Sequence, residues 1–210
     1  MNGQLWWYMA RSGGIVAWAL LAASVLWGLA LSTKVTNGKP KPNWILDLHR
    51  FLGGMALIFT GIHVGSLMLD TYVHFGLLEV LVPFTGTWHP AAVAWGVIGL
   101  YLLLAVELTS LARKRLSKRV WRMTHYLSFP LFFFTTVHAL SAGTDRKTFL
   151  LLLMIAVATA MVTILTFVRL SKAQRRAELS TVAARRAAAG ISAGEVDVVA
   201  TRSAQQRSRV

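Results

Sequence analysis

Cysteine is absent from the 210 residues of this chain. Its absence excludes disulfide bonds, thiolate-bound metals, cysteine-ligated iron–sulfur clusters and cysteine nucleophiles. Any metal or cofactor must therefore be held by other side chains, among which histidine is the commonest metal ligand.

Charged residues are also scarce, at 14% of the sequence, whereas soluble globular proteins have about a quarter. Hydrophobic residues make up 55% of the chain. A chain of this length has room for several membrane spans but none for a large soluble catalytic domain beside them. We therefore expect any chemistry to lie inside a membrane bundle or at its two faces.

Acidic residues are the scarcest charged class: 8 Asp and Glu against 22 Lys and Arg give a formal net charge of +14. Such a balance can indicate a nucleic-acid partner. Here, however, the basic residues lie in short loops beside apolar runs and in residues 171–210. That placement indicates membrane topology. We expect a lipid membrane around the protein and no nucleic-acid partner.

Apolar runs define the predicted fold, an all-α integral membrane protein with a five-helix transmembrane bundle. Each run is long enough to cross a hydrocarbon core of about 30 Å as a helix. Helices are required because an open strand would leave its backbone amides unpaired in lipid. The predicted spans are about 14–31, 45–69, 91–111, 120–140 and 149–170.

Lysine and arginine predict the orientation of the bundle in a cell membrane (plasma or inner). They concentrate between the first and second spans and between the third and fourth. Under the positive-inside rule those loops are cytoplasmic, the N-terminus is outside and the C-terminus is cytoplasmic. The predicted order is an outer segment (1–12), the bundle (13–170) and a basic cytoplasmic tail (171–210), in which a membrane-proximal helix gives way to a disordered segment.

Two histidine pairs on the predicted spans carry the functional prediction. His49 and His63 lie fourteen residues apart on the second span, and His125 and His138 lie thirteen apart on the fourth. Each spacing corresponds to roughly 20 Å along a helix. Because both spans run from the cytoplasm outward, we expect His49 at the depth of His125 and His63 at the depth of His138.

Ionisable residues inside a membrane are costly and usually functional. One imidazole from each of two helices, at each of two levels, is the axial ligand set of a bis-histidine haem. We predict one or two haems, with iron held by His49 and His125 at the inner level and by His63 and His138 at the outer level. Proton relay, metal transport and interhelical packing are the alternatives.

The angular spacing of the pairs fits only one of the two helices. At about 100° per residue, fourteen residues return to within about 40° of the starting face, whereas thirteen leave the rings about 140° apart. Pro130 lies between His125 and His138 and removes a helical hydrogen bond. We expect it to kink or rewind the fourth span enough to align the rings.

Several neighbouring residues fit this site without identifying it. Arg50 and Arg122, next to the inner histidines, are candidates for pairing with haem propionates, although cytoplasmic flanks carry arginine in any case. Trp121 near a span end indicates an interfacial anchor. Glycines of the second span leave room for either a bulky ring or a close helix; they are Gly53, Gly54, Gly61 and Gly65.

The segment between the second and third spans, residues 71–90, contains an apolar run at residues 75–82 that is too short to cross, and we expect it to lie along the outer interface. It carries His74 and His89. Histidines in such a position are most often ordinary surface residues, and a role at an outer substrate or partner site is the alternative.

Two stretches of this chain resemble the ferric reductase-like transmembrane domain superfamily, over about residues 10–170. They are His49-Arg50-Phe51-Leu52-Gly53 with His63, and Trp121-Arg122-Met123-Thr124-His125 with His138. The superfamily includes NADPH oxidases, ferric reductases and the haem subunit of a bacterial methionine sulfoxide reductase system. The resemblance implies a helical bundle with one or two b-type haems, ligated by the four histidines, that moves electrons across the membrane.

The chain departs from that superfamily in two ways. Members commonly have six spans with ligands on the third and fifth, whereas here the ligands fall on the second and fourth predicted spans. NADPH oxidases and ferric reductases also continue into a flavin and nicotinamide domain, but residues 171–210 contain no glycine-rich nucleotide loop. We therefore expect the electrons to come from a redox partner protein, a diffusible flavin or a quinone.

The predicted function is transmembrane electron transfer by haem b. Single electrons would pass between a cytoplasmic-side or quinone donor and an outer-face acceptor, in a ferric reductase-like oxidoreductase or an electron-transfer subunit of one. The alternatives are a non-enzymatic scaffold or assembly subunit, and a proton or metal transporter that uses the membrane histidines. The sequence indicates no catalytic residue beyond the ligands and leaves the oligomeric state open.

Overall fold

The structure, a computed structural model, describes residues 2–33, 41–71, 75–143, 145 and 147–188. Within those ranges, helix is the only regular secondary structure. The α-helices are α1 (Asn2–Thr33), α2 (Pro42–Leu69), α3 (Leu77–Leu81), α4 (Pro90–Leu111), α5 (Lys118–His125), α6 (Ser128–Ala142) and α7 (Phe149–Ala188), with a 3₁₀ turn at Ala112–Lys114.

The chain is a multi-pass membrane protein. In the described part, 4 helices are long and apolar enough to cross a membrane. Their spanning segments are Gln4–Thr33, Asn43–Leu69, Pro90–Lys114 and Phe149–Ala187. These segments correspond to the first, second, third and fifth predicted spans.

The predicted fourth span, residues 120–140, differs from expectation because it is not one helix. It is divided between α5 and α6, and α6 has only 15 residues. Pro130, in the first turn of α6, has no N–H with which to bond the Tyr126 carbonyl, and the Phe129 N–H bonds that carbonyl instead, at 3.2 Å. The break therefore lies at residues 126–127, upstream of the proline, and a tighter turn there changes the angular phase of α6 relative to α5.

The helices pack mainly as two pairs, α1 along α2 and α4 along α6. The pairs are joined through the core, where the Trp18 indole N–H of α1 donates to the Thr136 hydroxyl of α6 at 3.0 Å. Leu131, only 1% exposed, lies in the same core together with Phe132. Each pair thus couples a span to one of the histidine-bearing segments, and the core holds the two pairs together.

The first and last helices are longer than the predicted spans 14–31 and 149–170. α1 begins at Asn2, so the predicted outer segment 1–12 is helical from residue 2. Residues 166–188 form a unit separate from residues 1–165 and consist of the last turns of α7. The helix expected after the last span extends as far as Ala188, and residues 189–210 of the predicted tail lie outside the described part.

The connection between α2 and α4 contains the short helix α3. The Tyr101 hydroxyl of α4 donates to the Leu81 carbonyl and ties this connection to the bundle. His89 precedes α4 with a left-handed φ of 42°, and its ring meets Trp88 edge-on. His74 lies outside the described residues.

Candidate functional site

The structure brings the four histidines together as two pairs. The ring centroids of His49 and His125 lie 5.9 Å apart, with an angle of 81° between the planes. Those of His63 and His138 lie 6.3 Å apart, at 74°. Since both pairs join α2 to the α5–α6 segment, the two segments run in the same direction over the same length.

The spacing within each pair fits a metal ion between the rings. Two metal–imidazole bonds of about 2.0–2.1 Å, as measured for zinc, and roughly 1.1 Å from each nitrogen to its ring centre place the centroids about 6.3 Å apart. The observed separations are 5.9 and 6.3 Å. In the described residues, no group of three or more His, Asp or Glu side chains gathers as a metal site. Two imidazole ligands would leave the remaining positions of a metal to a macrocycle, so the chemistry of these residues fits haem.

Three of the four imidazoles bond a backbone carbonyl on the neighbouring helix through Nδ1. The contacts are His49 with Ser24 at 2.8 Å, His63 with Ala10 at 2.6 Å, and His138 with Ala92 at 2.8 Å. A carbonyl oxygen can only accept, so Nδ1 carries the ring proton in each case. Nε2 is then left with the lone pair that binds a metal.

The fourth imidazole, His125, is held by an aromatic stack. Trp121, one turn earlier on α5, lies with its ring centroid 5.1 Å from that of His125 and its plane tilted by 23°. The Arg113 guanidinium lies over the Trp121 ring, 4.4 Å from its centroid. Trp121 is therefore part of the site as well as a span-end residue. The four-residue spacing between the two rings was the sequence signal for it.

A cavity opens beside the outer pair. Both His63 and His138 line it, together with apolar side chains of α1, α2 and α4, which continue inward to Trp18. Asp70 and Glu79 line it on the side of the α2–α4 connection. Mostly apolar walls with a few polar groups are typical of cofactor sites.

The two arginines beside the inner histidines are exposed. The Arg50 guanidinium pairs with Asp47 on its own helix, with Nη1 3.4 Å from Oδ1. Arg122 lies on α5, three residues before His125. Contact of either arginine with a propionate stays a prediction.

The glycines of α2 fall into two groups. A Cβ added at Gly54, Gly61 or Gly65 would meet nothing within 4 Å, so these glycines face open space. A Cβ at Gly53 would lie 2.5 Å from Oε1 of Glu107 on α4, so this glycine makes room for a carboxylate side chain.

The sequence is similar to a known protein family. A family model described as ferric reductase like transmembrane component matches residues 13–136. The matched range includes His49, His63 and His125 and ends just before His138. No curated protein and no solved structure matches the chain.

Proposed function

This chain belongs to the ferric reductase-like transmembrane family, and from that premise we propose that it is a haem b electron-transfer protein in which two pairs of histidines would hold the haem iron. One observation carries the proposal. The imidazole centroids lie 5.9 and 6.3 Å apart at two levels of the same two segments, which fits one metal ion per pair. Family membership supports the membrane electron-transfer role.

In this proposal His49 and His125 ligate the inner haem, and His63 and His138 ligate the outer haem. Bound haem would supply one-electron redox chemistry, while the protein sets spacing, ligation and dielectric. The histidines on α2 are fourteen residues apart, or about 21 Å along the helix axis. Buried apolar side chains such as Leu131 and Phe132 occupy the core and exclude water from it.

The proposed orientation rests on the distribution of charge and on the division of the fourth predicted span into α5 and α6. Counting α5 and α6 together as one crossing gives five crossings, with the N-terminus outside and the basic loops in the cytoplasm. The cavity beside His63 and His138 then lies at the outer level. We place the electron acceptor there, and the donor, a quinone or a redox partner protein, at the cytoplasmic side or in the membrane.

The experiment is haem stoichiometry in single-ligand variants of the purified protein. We expect two haems per chain in the wild type by pyridine haemochrome assay. His49→Ala and His125→Ala should remove the same haem, and His63→Ala and His138→Ala the other. His89→Asn is the matched control, since His89 lies outside both pairs and asparagine tolerates its left-handed φ.

The second measurement is reoxidation of the dithionite-reduced protein by candidate acceptors. Electron transfer predicts fast reoxidation by a specific oxidant, whereas a scaffold shows only slow autoxidation. A colourless preparation after haem-supplemented expression would refute the proposal. So would variants at His49 and His125 that remove different haems.

A further inference from the structure

His49, His63 and His138 each bond a carbonyl of a neighbouring helix, and each ring lies next to a glycine of that helix. The glycine always lies four residues after the carbonyl; the pairs are Ala10 with Gly14, Ser24 with Gly28, and Ala92 with Gly96. In an α-helix the carbonyl of residue i points toward the N–H of residue i+4, so a side chain at i+4 stands beside that oxygen. With glycine there, the oxygen stays open to a second donor from the side.

The contact distances show how little room there is. A Cβ on Gly96 would lie 2.7 Å from Cε1 of His138, and one on Gly14 would lie 2.9 Å from Nδ1 of His63. A Cβ on Gly28 would lie 3.2 Å from Cε1 of the His49 ring. An alanine would therefore displace the ring at the first two positions and press on it at the third.

The register of α1 against α2 repeats this arrangement at both levels. Gly14 and Gly28 are fourteen residues apart on α1, which is also the spacing of His63 and His49 on α2. Because the two helices run antiparallel, the earlier glycine meets the later histidine. α1 thus presents a carbonyl and a glycine at each level where α2 presents a histidine.

We propose that Gly14, Gly28 and Gly96, each with the carbonyl one turn before it, are positioning residues that orient the ligand histidines. This inference rests on the proposed function, because it assigns to these rings the task of holding a metal. The carbonyl keeps the proton on Nδ1, fixes the ring against the neighbouring helix and leaves the lone pair on Nε2 for a metal. A hydrogen bond from the far nitrogen also makes an imidazole a stronger electron donor to its metal.

Close packing of the two helices is the competing explanation for glycines at this interface. Gly13 distinguishes that explanation from the proposal that a glycine makes room for an imidazole. A Cβ on Gly13 would meet the backbone of His63, at 3.3 Å from N and 3.4 Å from Cα, and its nearest contacts include no ring atom. Gly13 and Gly14 are therefore neighbours on α1 with different tasks. Gly13 lets the backbones approach, whereas Gly14 admits the imidazole.

The test compares Gly14→Ala, Gly28→Ala and Gly96→Ala with Gly13→Ala and with Gly61→Ala, which faces open space. Haem affinity, the electron paramagnetic resonance spectrum of the ferric state and the midpoint potential are measured in the full chain. Gly14→Ala and Gly96→Ala should weaken outer haem binding by about 10–100-fold, as loss of a hydrogen bond behind a metal ligand does. Gly28→Ala should weaken the inner haem less, because its contact is milder.

The midpoint potential adds a readout that a merely structural role would not move. A weaker donor stabilises the ferric state less, so the potential of the affected haem should rise while that of the other haem stays unchanged. Gly13→Ala should lower thermal stability without changing the spectrum of the haems that remain bound. Gly61→Ala should behave as wild type.

Two outcomes keep this inference distinct from the proposed function. If the wild type binds both haems and Gly14→Ala and Gly96→Ala match Gly61→Ala in affinity, spectrum and potential, the inference is overturned and the proposed function stands. If the wild type binds no haem, both the proposed function and this inference are refuted. Should the outer-level variants fail to fold, Gly28→Ala decides, with the outer haem as internal reference. An unchanged inner potential would then overturn the inference.

Discussion

Replacing Trp121 tests how the fourth histidine is held at the inner level. The indole stacks on the His125 ring with centroids 5.1 Å apart and planes at 23°. A stacked aromatic pair contributes about 0.5–1.5 kcal/mol beyond the area it buries. That range corresponds to about a 2–10-fold change in binding. We therefore expect Trp121→Leu to weaken the inner haem by about this factor and to leave the outer haem unchanged.

The assay is haem titration of the Trp121 variants, combined with redox titration that resolves the two haems. Trp121→Phe keeps an aromatic ring and should retain most of the affinity. The matched control is Trp95→Leu, which removes an equally stacked pair between Trp95 and Phe134, with centroids 5.3 Å apart and planes at 10°. It should leave the inner haem intact.

Two results would refute this reasoning about Trp121. One is an equal loss at both haem levels, which would point to general destabilisation of the bundle. The other is an inner haem that Trp121→Leu and Trp95→Leu affect equally, because the stack on His125 would then contribute nothing specific.

Two further predictions concern the bundle around the site. Arg11 and Asp145 form an ion pair with two contacts, and their side chains are 31% and 21% exposed. Asp145→Asn should therefore lower the free energy of unfolding by about 1–2 kcal/mol. A double-mutant cycle with Arg11→Ala measures the coupling between the two side chains. Gly53→Ala should leave haem content unchanged despite a 2.5 Å Cβ contact, because the displaced atom is the flexible end of Glu107; haemochrome loss as large as in Gly96→Ala would contradict this.

Much of the fold follows from local sequence, and the exception has a local cause. The first, second, third and fifth predicted spans each lie within one long apolar helix. The fourth does not, because Pro130 leaves the Tyr126 carbonyl without its helical donor, and the chain turns there. The proline predicted that the fourth span would be distorted. The position of the break, however, depends on which neighbouring N–H bonds the Tyr126 carbonyl, and hydropathy carries no information about that hydrogen bond.

The site divides in a similar way. Spacing along two helices was enough to expect His49 near His125 and His63 near His138, and the structure brings those rings together. Their role as haem ligands stays a prediction. The place of Trp121 was open at the level of sequence: its four-residue spacing from His125 fits a stack of the two rings, but a tryptophan near a span end also fits an interfacial anchor.

The sequence by itself determined the membrane class, the helical fold and the axial distance between the histidines, because hydropathy and the rise per residue are properties of each segment alone. Tertiary structure decided which carbonyl each imidazole reaches and which glycines admit the rings. Those contacts depend on the register and rotation of a neighbouring helix. Gly14 is one glycine among 16 in the sequence, and its place beside His63 exists only once α1 packs against α2.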